Sequence, residues 1–301
     1  MIDFLIIGAQ KSATTSIFKY LKEHPQIYLP DKKEIGFFAK DELFNQGLDW
    51  YKKELFESNS VNEHNKIVGE ASPQYMFSIY AAARIYEKFP KIKIIILLRN
   101  PIDRAFSAYK MLFNNKKINL DFDSEILRCI KENKSKKLFK DFQNVNILEA
   151  GKYSIILEEY FNLFPPENIF FEFSENINQN PKLVMKRLFN FLSVDSLFSS
   201  KIFEEKFHQG GKIKYNFLDK LINSISNNNS VLITALKKTF PGTGYWLKQW
   251  NLTKNEERVL SEKQKNILKD YYERDVIALE KILQVKVPWD EFNKKDIYNE
   301  F

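Results

Sequence analysis

The sequence predicts an α/β protein with a central parallel sheet flanked by helices. Three observations carry that prediction. Short continuous apolar runs at 3–8, 91–98 and 168–175 have the length and composition of strands covered on both faces. Stretches with apolar residues at helical spacing follow them. Strand and helix patterns alternate along the chain, which favours a parallel sheet with helices on both sides.

Taken in order, "DFLIIG" opens the chain as a buried strand. Residues 14–23 then carry Ile17, Phe18, Tyr20 and Leu21 at helical spacing and stop before Pro25. "KIVGEAS" (66–72) reads as a weaker strand, followed by an alanine-rich helix near 78–88. "KIKIIILL" (91–98) is the strongest strand, and the helix after it has Pro101 where a first turn tolerates proline. "EAGKYSIILEEYFNLF" (149–164) reads as a helix, "NIFFEFSE" (168–175) as a buried strand and "NPKLVMKRLFNFL" (180–192) as an amphipathic helix. Beyond residue 200 the pattern turns mainly helical and polar, broken by "SNNNS" (226–230) and "FPGTG" (240–244). With no fixed-period repeat and no long linker, one domain over 1–301 with a helical C-terminal elaboration is expected.

The 301 residues suffice for a substantial core without cross-links. The single cysteine, Cys129, excludes an intramolecular disulfide framework and fits a reducing compartment. Three widely spaced histidines give no zinc pattern, and no metal is expected. Lys and Arg number 46 against 39 Asp and Glu, a net charge of +7 that favours anionic ligands as a class. No basic stripe with interleaved aromatics points to nucleic acid. No apolar run reaches membrane-spanning length, so a soluble, cytoplasmic chain is expected.

The first strand runs into "GAQKSATTS" (8–16). In an open parallel sheet, ligands bind beyond the carboxyl ends of the strands. A helix start there offers unpaired N–H groups and partial positive charge. Lys11 and the hydroxyls of Ser12, Thr14, Thr15 and Ser16 add donors, so this loop reads as an oxyanion site. It is not a magnesium-nucleotide loop of the form G-x-x-x-x-G-K-[ST]: Lys11 follows Gly8 too closely and precedes the hydroxyl run. A second segment, "LLRNPIDRAFSAY" (97–109), puts Arg99 at a strand end and Ser107 on the next helix. Arginine there can grip a phosphate in bidentate fashion. Two oxyanion sites on one sheet suggest a ligand with an anionic group at each end.

These segments resemble the sulfotransferases that use 3′-phosphoadenosine 5′-phosphosulfate (PAPS), above all the heparan-sulfate-type enzymes and related bacterial ones. "GAQKSATTS" is similar to their 5′-phosphosulfate loop and "LLRNPIDRAFSAY" to their 3′-phosphate segment. "DKKEIGFF" (31–38), "GLDWY" (47–51), "GEASPQY" (69–75) and "FHQGGKIK" (207–214) match in family order, and the likeness runs to "VPWDEF". The resemblance implies a P-loop-like sulfotransferase fold, PAPS as donor and adenosine 3′,5′-bisphosphate (PAP) as product. It implies that Lys11, Ser12, Ala13, Thr14, Thr15 and Ser16 hold the phosphosulfate. Arg99 and Ser107 would then hold the 3′-phosphate, with the loop Gly210, Gly211, Lys212 closing over it. It also makes Glu34, in the K-E-x-x-F-F stretch, the base, and the acceptor a carbohydrate or glycoconjugate hydroxyl or amine. Three positions depart from the family pattern: Ala13 for glycine, Gly36 where several relatives have histidine, and Ala71 where some have lysine.

In-line sulfuryl transfer requires a positioned acceptor, a proton acceptor and charge stabilisation on the leaving oxygen. Glu34 and Lys11 are assigned the last two tasks. Glu70 is the rival carboxylate, as base, acceptor contact or turn residue. Trp50, Tyr51 and Tyr75 are candidates for stacking on a sugar ring or for core packing. His24, before Pro25, reads as structural; His208 adjoins the Gly–Gly loop. Two other classes stay open, an ATP-dependent kinase-like enzyme, disfavoured by the Lys11 spacing and Arg99, and a non-catalytic nucleotide-binding protein. The acceptor's identity and the oligomeric state are not written in the sequence.

Overall fold

The computed structural model describes residues 2–31, 33–56, 66–132, 146–205, 207, 211–213, 252–254 and 259–293. The chain forms two compact units. The larger holds Met1–Tyr109, Asp121–His208 and Ser261–Phe301; the smaller holds Lys110–Leu120 and Gln209–Leu260.

The larger unit is built on a five-stranded sheet of β1 (Phe4–Gly8), β2 (Ile27–Tyr28), β3 (Ile67–Ala71), β4 (Lys93–Leu98) and β5 (Ile169–Phe173). The order is β2-β3-β1-β4-β5, and every pairing is parallel. Phe4 lies opposite Gly69 and Lys93, and Ile95 opposite Phe170. After β1 the chain goes outward to β2, returns through β3, and crosses to β4 and β5 on the other side. The strand order therefore reverses beside β1, and the crevice past the ends of β1 and β4 is where such a sheet takes its ligand.

The helices are α1 (Thr14–Lys22), α2 (Asp41–Phe44), α3 (Gly47–Leu55), α4 (Ala81–Lys88), α5 (Pro101–Asn114) and α6 (Phe122–Glu132). They continue with α7 (Tyr153–Leu163), α8 (Ser174–Gln179), α9 (Pro181–Leu192) and α10 (Glu262–Leu283). Alternation along the strands splits the core. Phe4, Ile6, Ile95, Leu97 and Phe170 face α1 and α9 through Ile17, Leu21, Leu188 and Phe189. Leu5, Ile7, Ile94, Ile96 and Leu98 occupy the alternate positions and are equally buried. On the remaining layer α7 packs against both α4 and α10. Each fully buried Leu, Ile or Phe contributes about 1.5–3 kcal/mol, so the apolar runs visible in the sequence dominate the fold's stability.

The parallel sheet with flanking helices agrees with the sequence expectation, with local differences. The stretch 149–164 is not one helix: Glu149–Gly151 is a 3-10 turn, Lys152 leaves helical geometry, and α7 starts at Tyr153. The two-residue β2 is too short to leave a periodic signal. In the region expected to be mainly helical, α10 is present, while β6 (Gly211–Ile213) and β7 (Leu252–Lys254) in the smaller unit pair antiparallel. "SNNNS" and "FPGTG" lie outside the described residues.

Past α10, Trp289 is buried with its ring 6.2 Å from Tyr153 and 5.6 Å from Phe173. Two residues on, Glu291 accepts a 2.7 Å hydrogen bond from Asn100 Nδ2. The C-terminal segment thus returns to brace the residue next to Arg99.

Candidate active site

The loop between β1 and α1 departs from ordinary backbone geometry. Lys11 (φ 72°) and Ala13 (φ 65°) both lie in the left-handed region, which L-residues other than Asn and Asp adopt at a cost. Ala13 occupies the N-cap of α1, has no oxygen to offer, and α1 receives no side-chain cap. Its first turn also holds no acidic residue. The start of α5 differs, because Asn100 Oδ1 accepts from the Ile102 N–H at 3.0 Å. At α1 the positive end of the helix is therefore met by no capping side chain and no first-turn carboxylate. Ser12 is fully buried and its Oγ has no hydrogen-bond partner, an orphan acceptor-donor inside the loop.

The two segments singled out in the sequence meet. Arg99, at the end of β4, donates from Nη1 to the Lys11 carbonyl at 3.2 Å, and the Ala9 N–H donates to the Leu97 carbonyl at 2.7 Å. Arg99 is one-third exposed, and its Nη2 lies 4.0 Å from Asp103 Oδ2, a loose surface pair of little energy. Its backbone is held from below, where the buried Tyr153 hydroxyl donates to the Arg99 carbonyl at 3.0 Å. Burial pushes that hydroxyl up to about 12, so it stays a donor. Ser107 is half-buried on α5, one turn beyond Asp103 and on the same helix face.

Glu34 is brought to this place by the segment after β2. Its N–H donates to the Ala71 carbonyl at 3.0 Å, its φ is 68°, and its side chain is 48% exposed. Beside it stands Lys33, in the charged run "DKKE" (31–34), where sequence alone gives it no role. Lys33 Nζ donates to Thr15 Oγ1 at 2.9 Å and to Glu34 Oε1 at 3.2 Å, and its side chain is only 18% exposed. It connects the helix start to the proposed base. The low exposure of a lysine in that run had no sequence signal.

Glu70 has a different environment. It is fully buried at the end of β3, where Tyr51 donates to it at 2.6 Å and Tyr75 at 2.9 and 3.0 Å, with Ser72 Oγ as a further close donor. Burial raises its pKa, opposed by these hydroxyl donors. Ser72 Oγ in turn accepts from the Gly36 N–H at 3.0 Å, so Glu70 steadies the backbone two residues past Glu34. Tyr51 and Tyr75 are buried with their hydroxyls on this carboxylate, and half-buried Trp50 stacks on Phe37 at 6.1 Å. His24 is buried and satisfied: its Nε2 pairs with the Asp195 carbonyl at 2.9 Å and its Nδ1 accepts from the Gln26 N–H at 3.1 Å. Gly211 and Lys212 lie in β6 of the smaller unit; Gly210 and His208 fall outside the described residues. Among the described residues, no group of His, Cys, Asp and Glu could hold a metal ion.

Residues 1–209 match the family described as the sulfotransferase domain. The chain belongs to the sulfotransferase family. Among curated relatives, it is 37% identical over 129 residues to the membrane-associated sulfotransferase kil1 of Dictyostelium discoideum, covering 42% of this chain and 27% of that one. It is 32% identical over 112 residues to heparan sulfate glucosamine 3-O-sulfotransferase 5 of Homo sapiens, covering 37% and 31% respectively. The chain therefore spans less than a third of the length of either relative. Among solved structures, the sulfotransferase from Alicyclobacillus acidocaldarius superposes with a TM-score of 0.68 at 24% identity, covering 95% of this chain and 97% of that one. That likeness establishes the fold.

Proposed function

We propose that this sulfotransferase moves a sulfuryl group from PAPS to a hydroxyl or amine of a carbohydrate or glycoconjugate. The observation that carries the reading is the bond from Arg99 to the Lys11 carbonyl, which joins the two segments expected to bind anions beside the switch point of the sheet. A donor nucleotide with a 3′-phosphate and a 5′-phosphosulfate needs such a pair. The buried, unpartnered Ser12 Oγ and the uncapped start of α1 fit the phosphosulfate end. Arg99, with Ser107 farther along α5, fits the 3′-phosphate. The heparan sulfate enzymes among the relatives support a glycan acceptor.

When bound, the donor supplies an activated sulfur–oxygen bond. Glu34, half-exposed beside the helix start, takes the proton of the attacking acceptor as the new bond to sulfur forms. Lys11 and the first-turn N–H groups of α1 hold the phosphate oxygen that keeps the electron pair of the breaking bond. Glu34 is preferred over Glu70 because Glu70 is enclosed by three hydroxyl side chains and has no route to an acceptor.

The test is calorimetric titration with PAP in the absence of magnesium, with ATP and AMP as comparators. Tight PAP binding is expected, weakened about tenfold or more in Lys11→Ala and in Arg99→Ala, the loss typical of one charge-assisted hydrogen bond or more. A preference for ATP with magnesium would instead support a phosphoryl-transfer enzyme.

A further inference from the structure

We propose that Lys33 is a further cationic residue of the reaction and contacts the transferring sulfuryl group itself. The inference rests on the donor reading above and assigns a role to a residue outside the loop and the strand-end arginine.

The start of α1 already carries the positive end of the helix, and the Arg99 guanidinium donates to the Lys11 carbonyl beside it. Lys33 adds an ammonium at 2.9 Å from Thr15 Oγ1, the second residue of the helix. A cation at the positive end of a nine-residue helix is unfavourable by itself. Pairing with Glu34 does not account for the placement. That contact is the longer of the two at 3.2 Å, its carboxylate is half exposed, and such pairs contribute little. A lysine searching only for a carboxylate would remain in water; this one is withdrawn to 18% exposure against the helix. An anion with charge beyond a single phosphate resolves the conflict.

Position then decides which part of the anion. In an in-line transfer the sulfur sits between the donor phosphate and the acceptor atom, whose proton goes to the base. Lys33 bridges Thr15, on the loop that would hold the phosphate, and Glu34, the proposed base. It stands on the path of the migrating group. Strand β3 supplies no cation there, since it ends in Glu70 and the buried Ala71. During transfer Lys33 would balance the negative charge on the sulfuryl oxygens and keep the Glu34 carboxylate aimed at the acceptor.

The experiment compares dissociation constants for PAPS and PAP, which differ by the sulfuryl group alone, and so needs no acceptor. Wild type, Lys33→Met, Lys33→Arg and Glu34→Gln are titrated, with thermal unfolding of each as a check on folding. The expected result is that Lys33→Met weakens PAPS binding about tenfold while changing PAP binding little, as for the loss of one charge-assisted hydrogen bond. Lys33→Arg recovers part of the difference, and Glu34→Gln, which removes a negative charge from beside the ammonium and the sulfuryl oxygens, does not reduce the preference for PAPS. Equal effects on both nucleotides, or none, overturn the assignment while leaving the donor reading intact. Failure of the wild type to bind either nucleotide removes both.

Discussion

Ala13 illustrates how one residue constrains the site. It takes a left-handed conformation at the N-cap of α1, where its carbonyl accepts the first helical hydrogen bond, from Ile17 at 3.1 Å. Its methyl packs against the core below the sheet. Replacing it by glycine removes the backbone strain but also removes that packing and enlarges the unfolded ensemble. Ala13→Gly is therefore expected to leave stability within about 0.5 kcal/mol of wild type, since the terms are each about 1 kcal/mol and opposed. Ala13→Val is different, because a β-branched side chain at positive φ is strongly disfavoured. It should cost about 1–3 kcal/mol, read as a lower urea midpoint at unchanged slope. It should also weaken PAP binding by disturbing the loop.

Among the elements, α10 is fastened to α7 by a buried carboxylate. Asp275 accepts from the Ser154 N–H at 3.2 and 3.3 Å and from the Ser154 hydroxyl. Burial pushes its pKa from 3.8 up to about 6, against the pull of Ser154 and Lys152. The folded protein thus keeps a proton on Asp275 over a range where the unfolded chain has lost it. Between about pH 4 and pH 6 the native state binds more protons, so this group's contribution falls as pH rises and levels off above about 6. Its size is about 3 kcal/mol, from a shift of about two pKa units. Asp275→Asn keeps an acceptor for Ser154 and removes the titration. Melting curves of the two proteins should converge near pH 4 and separate by pH 6.5, with the variant more stable at the higher pH. Parallel curves across this range would contradict the argument.

At this scale, what the sequence discloses depends on period and length. The strands β1, β4 and β5 are uniformly apolar because helices cover both faces, and such runs are legible. The edge strand β2 is not, since two residues carry no period. Gly69 in β3 carries no sequence hint of its role. It lies opposite Phe4, and a methyl group there would come within 2.1 Å of the Phe4 ring, so the glycine makes room for a core aromatic. The same limit holds for the site. Lys11, Arg99 and Glu34 are readable from motif and resemblance; in the structure Arg99 donates to the Lys11 carbonyl, and Lys33 connects Glu34 to Thr15. Lys33 was hidden because charge runs look alike whether solvated or withdrawn. The enclosure of Glu70 depends on Tyr51 and Tyr75 converging from separate segments, which spacing cannot reveal.

For the molecule as a whole, a ligand that binds only the folded state raises its stability by mass action. With PAP at a hundredfold excess over its dissociation constant, the gain is about 2.7 kcal/mol. For a chain of this size the melting temperature should rise by about 4 °C. AMP, which lacks the 3′-phosphate, should give a smaller shift at the same concentration. The net charge of +7 supports anion binding in general, and the comparison of PAP with AMP separates that background from the shaped site. Among the described residues, no helix is long and apolar enough to cross a membrane.

The hydrogen bond from Arg99 to the Lys11 carbonyl ties the two ends of the proposed site together. On the proposed donor reading, the crevice would work as a caliper. Discrimination among nucleotides would rest on the span between their terminal charges more than on the number of charges. A polyphosphate of greater charge but different reach would grip at one jaw only.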